Sequence, residues 1–382
     1  MFGKASGRWR GAVSAVAVGS ALIGSAVAAA APAQASAARV PASARSAITS
    51  AITSPAATEA GADGLNLLLE GSEFEVLQTA RYANGAWAPT TQLFKSADLL
   101  HFTDVVQNGV LRVFAEVFTS GCALTLEQAS QNANGSWTAL TPMVGVTPLD
   151  WCADPGAEYS DYMSAAVVGS QVNVVYIDRD GRIAHTAQQP DGTWTAQDVV
   201  APSGTYSGDQ FQSVTAASVG GQLQVAVVDQ RHNTVLHAVR GSNGVWSHWG
   251  NVLGETGTPR SWGVPIRVSM AGFGSSLQMV VLTNGPVAQY HAIRNPNGSW
   301  TPFGDIDAEV NFQAAGFQGT VLQEVTAVNV GGKLETVFAS DDNSGSLYYT
   351  MRNPNGTWTK AGRIRTTNLS KWRPAGVAGS AG

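Results

Sequence analysis

A tight-turn dipeptide followed two residues later by tryptophan returns six times along the chain. The copies are Asn84-Gly-Ala-Trp87, Asn134-Gly-Ser-Trp137, Asp191-Gly-Thr-Trp194, Asn243-Gly-Val-Trp246, Asn297-Gly-Ser-Trp300 and Asn355-Gly-Thr-Trp358, with tryptophans 50, 57, 52, 54 and 58 residues apart. Self-similarity at such a period means a repeat architecture, in which one supersecondary unit is copied and buries its apolar faces against its neighbours. Asn-Gly and Asp-Gly suit tight hairpins, because both positions tolerate positive φ. Three copies also match the Asn-x-Ser/Thr glycosylation sequon, but turn chemistry accounts for them without it.

One unit can be read in full from Val214. Val214–Val219 is a first strand of small and β-branched residues, and Gly220-Gly221 turns it into Gln222–Val228, whose alternation marks a second strand. After a turn at Asp229–Asn233 comes a third strand, Val235–Arg240, and the Asn-Gly hairpin then leads to a fourth, Val245–Trp249. Four antiparallel strands at this period predict a β-propeller blade, with the small-residue first strand nearest the crowded axis. The chain ends support a closed ring. The N-terminal unit starts at Gly64–Leu69 with no first strand ahead of it, and the C-terminus supplies an orphan, Ala375–Ser380. The expectation is a six-bladed all-β propeller over residues 63–382, with the last strand joining the first blade and removing an exposed sheet edge.

The residues ahead of the repeats read differently. Lys4, Arg8 and Arg10 precede an Ala/Val/Gly/Leu run, and small-x-small sites follow at Ala33–Ala35 and Ala35–Ala37. That order predicts a secretory signal over residues 1–37. Residues 38–62 are Ala, Ser, Thr, Pro and Ile without period, a disordered linker by composition. The expected location is therefore extracellular, with no membrane span after signal cleavage. Of the 22 basic and 27 acidic residues, five and one lie in residues 1–61, so the remainder carries 17 and 26 and a net charge of −9. Such a surface has no long-range attraction for phosphate backbones, which excludes nucleic acid as a partner. The two cysteines, Cys122 and Cys152, are expected to form a disulfide in an oxidising space.

The six repeated tryptophans read as packing between blades, since large aromatics dominate cores. The repeated third-strand position is read as Gln78, Glu127, His185, His237, His291 and Tyr349. Its histidines lie in separate blades and cannot converge on one metal ion, which leaves inter-blade hydrogen bonding or a repeated ligand pocket. Residues that break the repeat sit in the long connections on one face: Asp150, Trp151, Asp154, Glu158, Tyr159, Asp161 and Tyr162, then Tyr206, Asp209 and Phe211, then Arg260 and Trp262, then Phe312 and Phe317. Aromatic faces beside carboxylates suit a sugar, so Trp151, Tyr159, Tyr162, Tyr206, Arg260, Trp262, His185, His237 and His291 are the carbohydrate-binding candidates. Capping of the ring is the competing reading of Trp151 and Trp262. The acids Glu70, Glu116, Asp178 and Asp229 end second strands, where a glycosidase could place a carboxylate pair, although hairpins recruit Asp anyway. Asp178-Arg-Asp180-Gly181 lacks the later ligands of a calcium loop. No phosphate loop, dinucleotide fingerprint, nucleophile elbow or zinc motif occurs, so no catalytic residue, metal or cofactor is assigned.

Units such as His291–Asp305 resemble the repeats of secreted bacterial propellers related to fucose-binding lectins. The resemblance covers Gly64 to the C-terminus. It implies a six-bladed fold and a non-catalytic protein with a glycan or cell-surface polysaccharide as partner; the expected state of the chain is a monomer. In those lectins an Arg, a Glu and an aromatic line each inter-blade pocket. Here the third-strand position is His, Gln or Tyr, with a Glu only at Glu127 and no matching Arg ahead of it. A glycoside hydrolase or lyase with an axial acid pair, and a protein-interaction scaffold, are the alternatives, because fold alone does not fix function.

Overall fold

The computed structural model describes residues 64–381 apart from 72–74, 83, 96–98, 120–122, 147–148, 151–162, 179–180, 201–210, 286–288, 318–321, 341–345 and 366–371. Six antiparallel sheets stand around an axis. Blade I combines the C-terminal strand Trp372–Ala381 with Leu65–Gly71, Glu75–Arg81 and Thr91–Lys95. Blade II holds Leu99–Gln107, Val110–Phe118, Ala123–Ser130 and Thr141–Pro142, with Leu149–Asp150 also paired to its third strand. Blade III holds Met163–Val168, Gln171–Ile177, Ile183–Ala187 and Asp198–Val199. Blade IV holds Phe211–Val219, Gln222–Asp229, Thr234–Arg240 and Gly250–Asn251. Blade V holds Pro265–Phe273, Ser276–Thr283, Gln289–Arg294 and Gly304–Asp305. Blade VI holds Leu322–Val330, Lys333–Ser340, Leu347–Arg352 and Gly362–Ile364.

The closure is the one anticipated: Leu67 pairs with Gly379, Leu68 with Ala378 and Leu69 with Val377. Two local readings are corrected. The outer strand of blade IV is not Val245–Trp249. Trp246 makes a lone bridge to Arg240, and the pairing resumes only at Gly250–Asn251. Very short edge strands of this kind offer little template for pairing with another chain. The hairpins also differ from the two-positive-φ expectation. In each, only the glycine is left-handed, as at Gly85 (φ 85°) and Gly298 (φ 90°). The preceding Asn or Asp instead accepts from a backbone N–H two residues on, as Asn297 Oδ1 does from Ser299 (3.0 Å). Two short helices, α1 (Val252–Thr256) and α2 (Ile306–Val310), fill connections between blades. Asn251 and Asp305 cap them, accepting from the N–H groups of Gly254 and Ala308.

The core is divided among the six seams between blades. Phe114, Val174 and Tyr176 join blades II and III; Val227, Leu236 and Trp249 belong to the III–IV cluster; Phe312, Phe338 and Tyr348 to V–VI. Each fully buried side chain of this size contributes about 1.5–3 kcal/mol. Hydroxyls fasten the innermost strands across seams. Ser164 Oγ accepts from the Ala216 N–H (3.0 Å), Ser213 Oγ from Val268 (3.3 Å) and Ser269 Oγ from Ala327 (2.9 Å). Arg267 of blade V clamps Glu324 of blade VI through Nε and Nη2 (2.6–3.0 Å).

Candidate functional site

Strand register fixes what each seam contains. The position nine residues before each repeated tryptophan holds Gln78, Gln128, His185, His237, His291 and Tyr349. Glu127 is therefore one place out of step: it is Gln128 that faces Phe114 on the second strand, as His237 faces Ala226 and His291 faces Val280. The second strand supplies a partner at each seam: Asn66, Arg112, Asn173, Gln224, Gln278 and Glu335. His185 Nε2 bonds Asn173 (3.0 Å), His237 Nε2 bonds Gln224 (2.8 Å) and His291 Nε2 bonds Gln278 (2.9 Å). The next blade's tryptophan stands edge-on against the ring: His185–Trp246, His237–Trp300 and His291–Trp358 at 5.4 Å, and Tyr349–Trp87 at 5.7 Å. Burial holds the His237 and His291 imidazoles neutral, with pKa values lowered to about 3, and the nearby charges of Arg294 and Arg352 push the same way. The three histidines are thus seam residues, buried and hydrogen-bonded, and the open surface lies above them.

That surface carries a residue type the sequence reading missed. Six positions before each tryptophan, and bridged to it, stand Arg81, Gln131, Gln188, Arg240, Arg294 and Arg352. Counting back from the tryptophans would have found them. At four hairpins the guanidinium lies over the turn, so that a Cβ on Gly85, Gly244, Gly298 or Gly356 would meet an arginine Nη2 at 3.2–3.3 Å. Arg240, Arg294 and Arg352 are half-buried, as are Trp246, Trp300 and Trp358, so each of these seams presents a guanidinium beside the rim of an indole. Charges at the other seams compensate locally. Glu335 on blade VI meets Arg81 of blade I at 2.7 Å, with that guanidinium 5.1 Å from the Tyr349 ring. Arg112 on blade II donates to Gln128 (2.7 Å), Gln107 (2.7 Å) and, across the seam, Gln188. A second arginine in place of Gln188 would bring two buried cations together.

The loop-face candidates separate. Trp151, Tyr159, Tyr162 and Tyr206 lie outside the described residues, as do Asp154, Glu158, Asp161, Asp209, Cys122 and Cys152. Arg260 is exposed. Trp262 packs against Tyr290 (4.8 Å) and Phe303 (5.1 Å). Phe312 is fully buried against Phe338, and Phe317 rests on Tyr348 at 5.6 Å, so both belong to packing. Asp178 and Asp229 are turn acids, the first held by Arg182 (2.8 Å) and the second by His232 (2.6 Å).

Glu116 stands apart. It is 1% exposed and both its oxygens lack hydrogen-bond partners, so burial pushes its pKa up to about 8. The equivalent second-strand position holds Ile177, Val228, Leu282 and Ala339 in blades III to VI. On the axis itself lies a cavity of about 80 Å³, lined among the described residues by the innermost strands of blades II to VI, with Asp104 as its single carboxylate.

No protein-family model matches the chain, and no curated protein matches it in sequence. Likeness in structure is extensive. AofleA from Arthrobotrys oligospora matches with a TM-score of 0.53 and 12% identity, over 85% of this chain and 87% of its own. The BP39L lectin from Burkholderia pseudomallei matches with a TM-score of 0.53 and 14% identity, over 80% and 96%. A point mutant of the Aleuria aurantia lectin, in complex with Fucα1-6GlcNAc, matches with a TM-score of 0.52 and 14% identity, over 77% and 89%. What the chain shares with them is the fold. The Aleuria aurantia protein is a six-bladed β-propeller, and so is this one.

Proposed function

We propose that the protein is a secreted glycan-binding protein that holds its ligands in the grooves above the blade seams and does not cleave them. The observation that carries this reading is the repeated pairing of a half-buried arginine with a half-buried tryptophan, at Arg240/Trp246, Arg294/Trp300 and Arg352/Trp358. A guanidinium offers several donors in fixed geometry to sugar hydroxyls, and an indole offers an apolar surface to sugar C–H groups. The fold is one on which a fucose-specific lectin is built, so fucosylated glycans are the first ligands to test. Cleavage by the usual route needs two carboxyl groups some 5–10 Å apart, whereas the described lining of the axial cavity holds Asp104 alone.

The test is a glycan array probed with the full chain, with bound glycans checked for turnover, followed by calorimetry on variants. Arg294→Gln places at one groove the residue already present at Gln131 and Gln188. It should lower the stoichiometry by one site, or weaken that site about tenfold, with the fold intact. Trp262→Ala should leave binding unchanged. Turnover of the glycan, or binding that depends on Trp262 and ignores Arg294, would reject the proposal.

A further inference from the structure

We propose that the axial cavity is a separate binding site for a small neutral polyol. Its wall repeats a hydroxyl at one register level. Thr103, Ser164, Thr215, Ser269 and Thr326 face Phe114, Val175, Ala226, Val280 and Val337 on their second strands, and all five line the cavity. These hydroxyls fall into two sets. Ser164 and Ser269 are committed to the seams, where they accept from the N–H groups of Ala216 and Ala327. Among the described residues Thr103, Thr215 and Thr326 make no side-chain hydrogen bond, although each is only 6–7% exposed. The free three belong to blades II, IV and VI. In a six-bladed ring that sets them a third of a turn apart, converging on one volume.

Buried polar groups are paired with protein, water or ligand, and a set left open on one cavity indicates what the cavity takes. Three hydroxyls, each both donor and acceptor, match a molecule that presents hydroxyls around a ring or short chain. The walls between them are apolar at Met163, Val214, Val268 and Met270, which suits its C–H groups. Among the described lining residues blade II alone breaks the symmetry, with Asp104 and His101 where blades III to VI have Ala165, Ala216, Met270 and Ala327 at the Asp104 level. That gives the ligand one preferred orientation. Among the described lining residues there is one carboxylate and no lysine or arginine, which favours a neutral ligand over an anionic sugar acid. A volume of about 80 Å³ corresponds to roughly five to eight water positions at ~10–15 Å³ each. This is room for a polyol of three to six carbons and not for an oligosaccharide.

The experiment is calorimetric titration of the full chain with erythritol, with myo-inositol and with glucuronate. Saturable binding of at least one neutral polyol is expected, and none of glucuronate. Thr215→Val with Thr326→Val conserves shape, leaves the serine clamps in place and should weaken binding tenfold or more, with an unchanged thermal transition. Arg294→Gln should leave polyol binding intact, which separates this site from the grooves. Absence of saturable heat with either polyol means that the cavity holds water only. Equal binding of glucuronate, or binding indifferent to the double substitution, likewise overturns the proposal.

Discussion

Two kinds of buried titratable residue set how this protein responds to pH. Glu116 keeps its proton in the folded state up to about pH 8, while an ordinary glutamate gives its proton up near 4.5. The unfolded chain therefore binds fewer protons between those values, and stability falls as pH rises through them. His237 and His291 act oppositely. Their folded pKa of about 3 lies below the ordinary 6.5, so the unfolded chain takes up protons first and stability falls as pH drops from 6.5 towards 3. Because two histidines outweigh one glutamate below pH 6.5, the contribution of these groups to the free energy of unfolding should peak near pH 6.5. Glu116→Leu, with the residue blade V has at Leu282, should flatten the alkaline limb and add roughly a few kcal/mol near pH 8. His237→Gln with His291→Gln should flatten the acid limb. Urea titrations across the pH range check both, and profiles parallel to the parent's would count against the assignment. Sequence reading recognised the histidines as a repeat but placed Glu127 where Gln128 belongs. Composition alone could not settle that register, because one residue's slip moves a side chain to the opposite face of its strand. Nor could it separate Glu116 from Asp178 and Asp229. All three read as second-strand ends, whereas Glu116 lies inside its strand at the level of Ile177 and Val228, one residue ahead of Asp178 and Asp229.

At the scale of elements, the three inner strands of each blade were legible because their alternation and Gly-Gly or Asn-Gly turns are local signals. The outer strands and helices α1 and α2 were not. The outer rim makes few pairings, so its sequence carries little period, and a five-residue helix is too short to show one. Close approach between blades is another property hidden from a single sequence. Gly272, on the inner strand of blade V, lies so near blade IV that an added Cβ would sit 1.9 Å from the Ser218 carbonyl oxygen. The adjacent Gly274 carbonyl accepts from the Gly220 N–H (2.7 Å), and Asn329 Nδ2 of blade VI donates to the Gly272 carbonyl (2.8 Å). The clash is with the Ser218 backbone, so no side-chain rotation relieves it. Gly272→Ala should cost about 1–3 kcal/mol or more, whereas Gly109→Ala, with nothing within 4 Å, should cost only the strain of a positive φ (74°). Chemical denaturation of the two variants compares these costs directly. Equal losses would mean that the IV–V seam opens freely.

The whole ring depends on a single junction between the chain's two ends. Blade I has its outer three strands from residues 65–95 and its innermost strand from Trp372–Ala381, which also lies beside the inner strands of blades II and VI. This much was legible before any coordinates, because a unit lacking its first strand and an orphan strand at the other terminus have only each other. The axial hydroxyls were not legible. They gain meaning only when alternate blades are known to face one another across the axis. Without residues 372–382, Leu65–Gly71 would present a bare edge, and the buried residues of that seam, Leu67 and Leu69 among them, would lose one wall. The Arg81–Glu335 pair joins blades I and VI farther out, but its glutamate is destabilised by burial as well as favoured by its arginine, so it cannot hold the ring alone. A chain ending at residue 371 should lose its cooperative thermal transition or unfold at much lower temperature. A synthetic peptide of residues 372–382 should restore part of the loss by adding its strand to the open edge. Calorimetry of the truncated chain with and without the peptide measures both effects. An unchanged transition in the truncated chain would show that five complete blades and three strands already suffice, and that the final strand caps a ring the seams have closed.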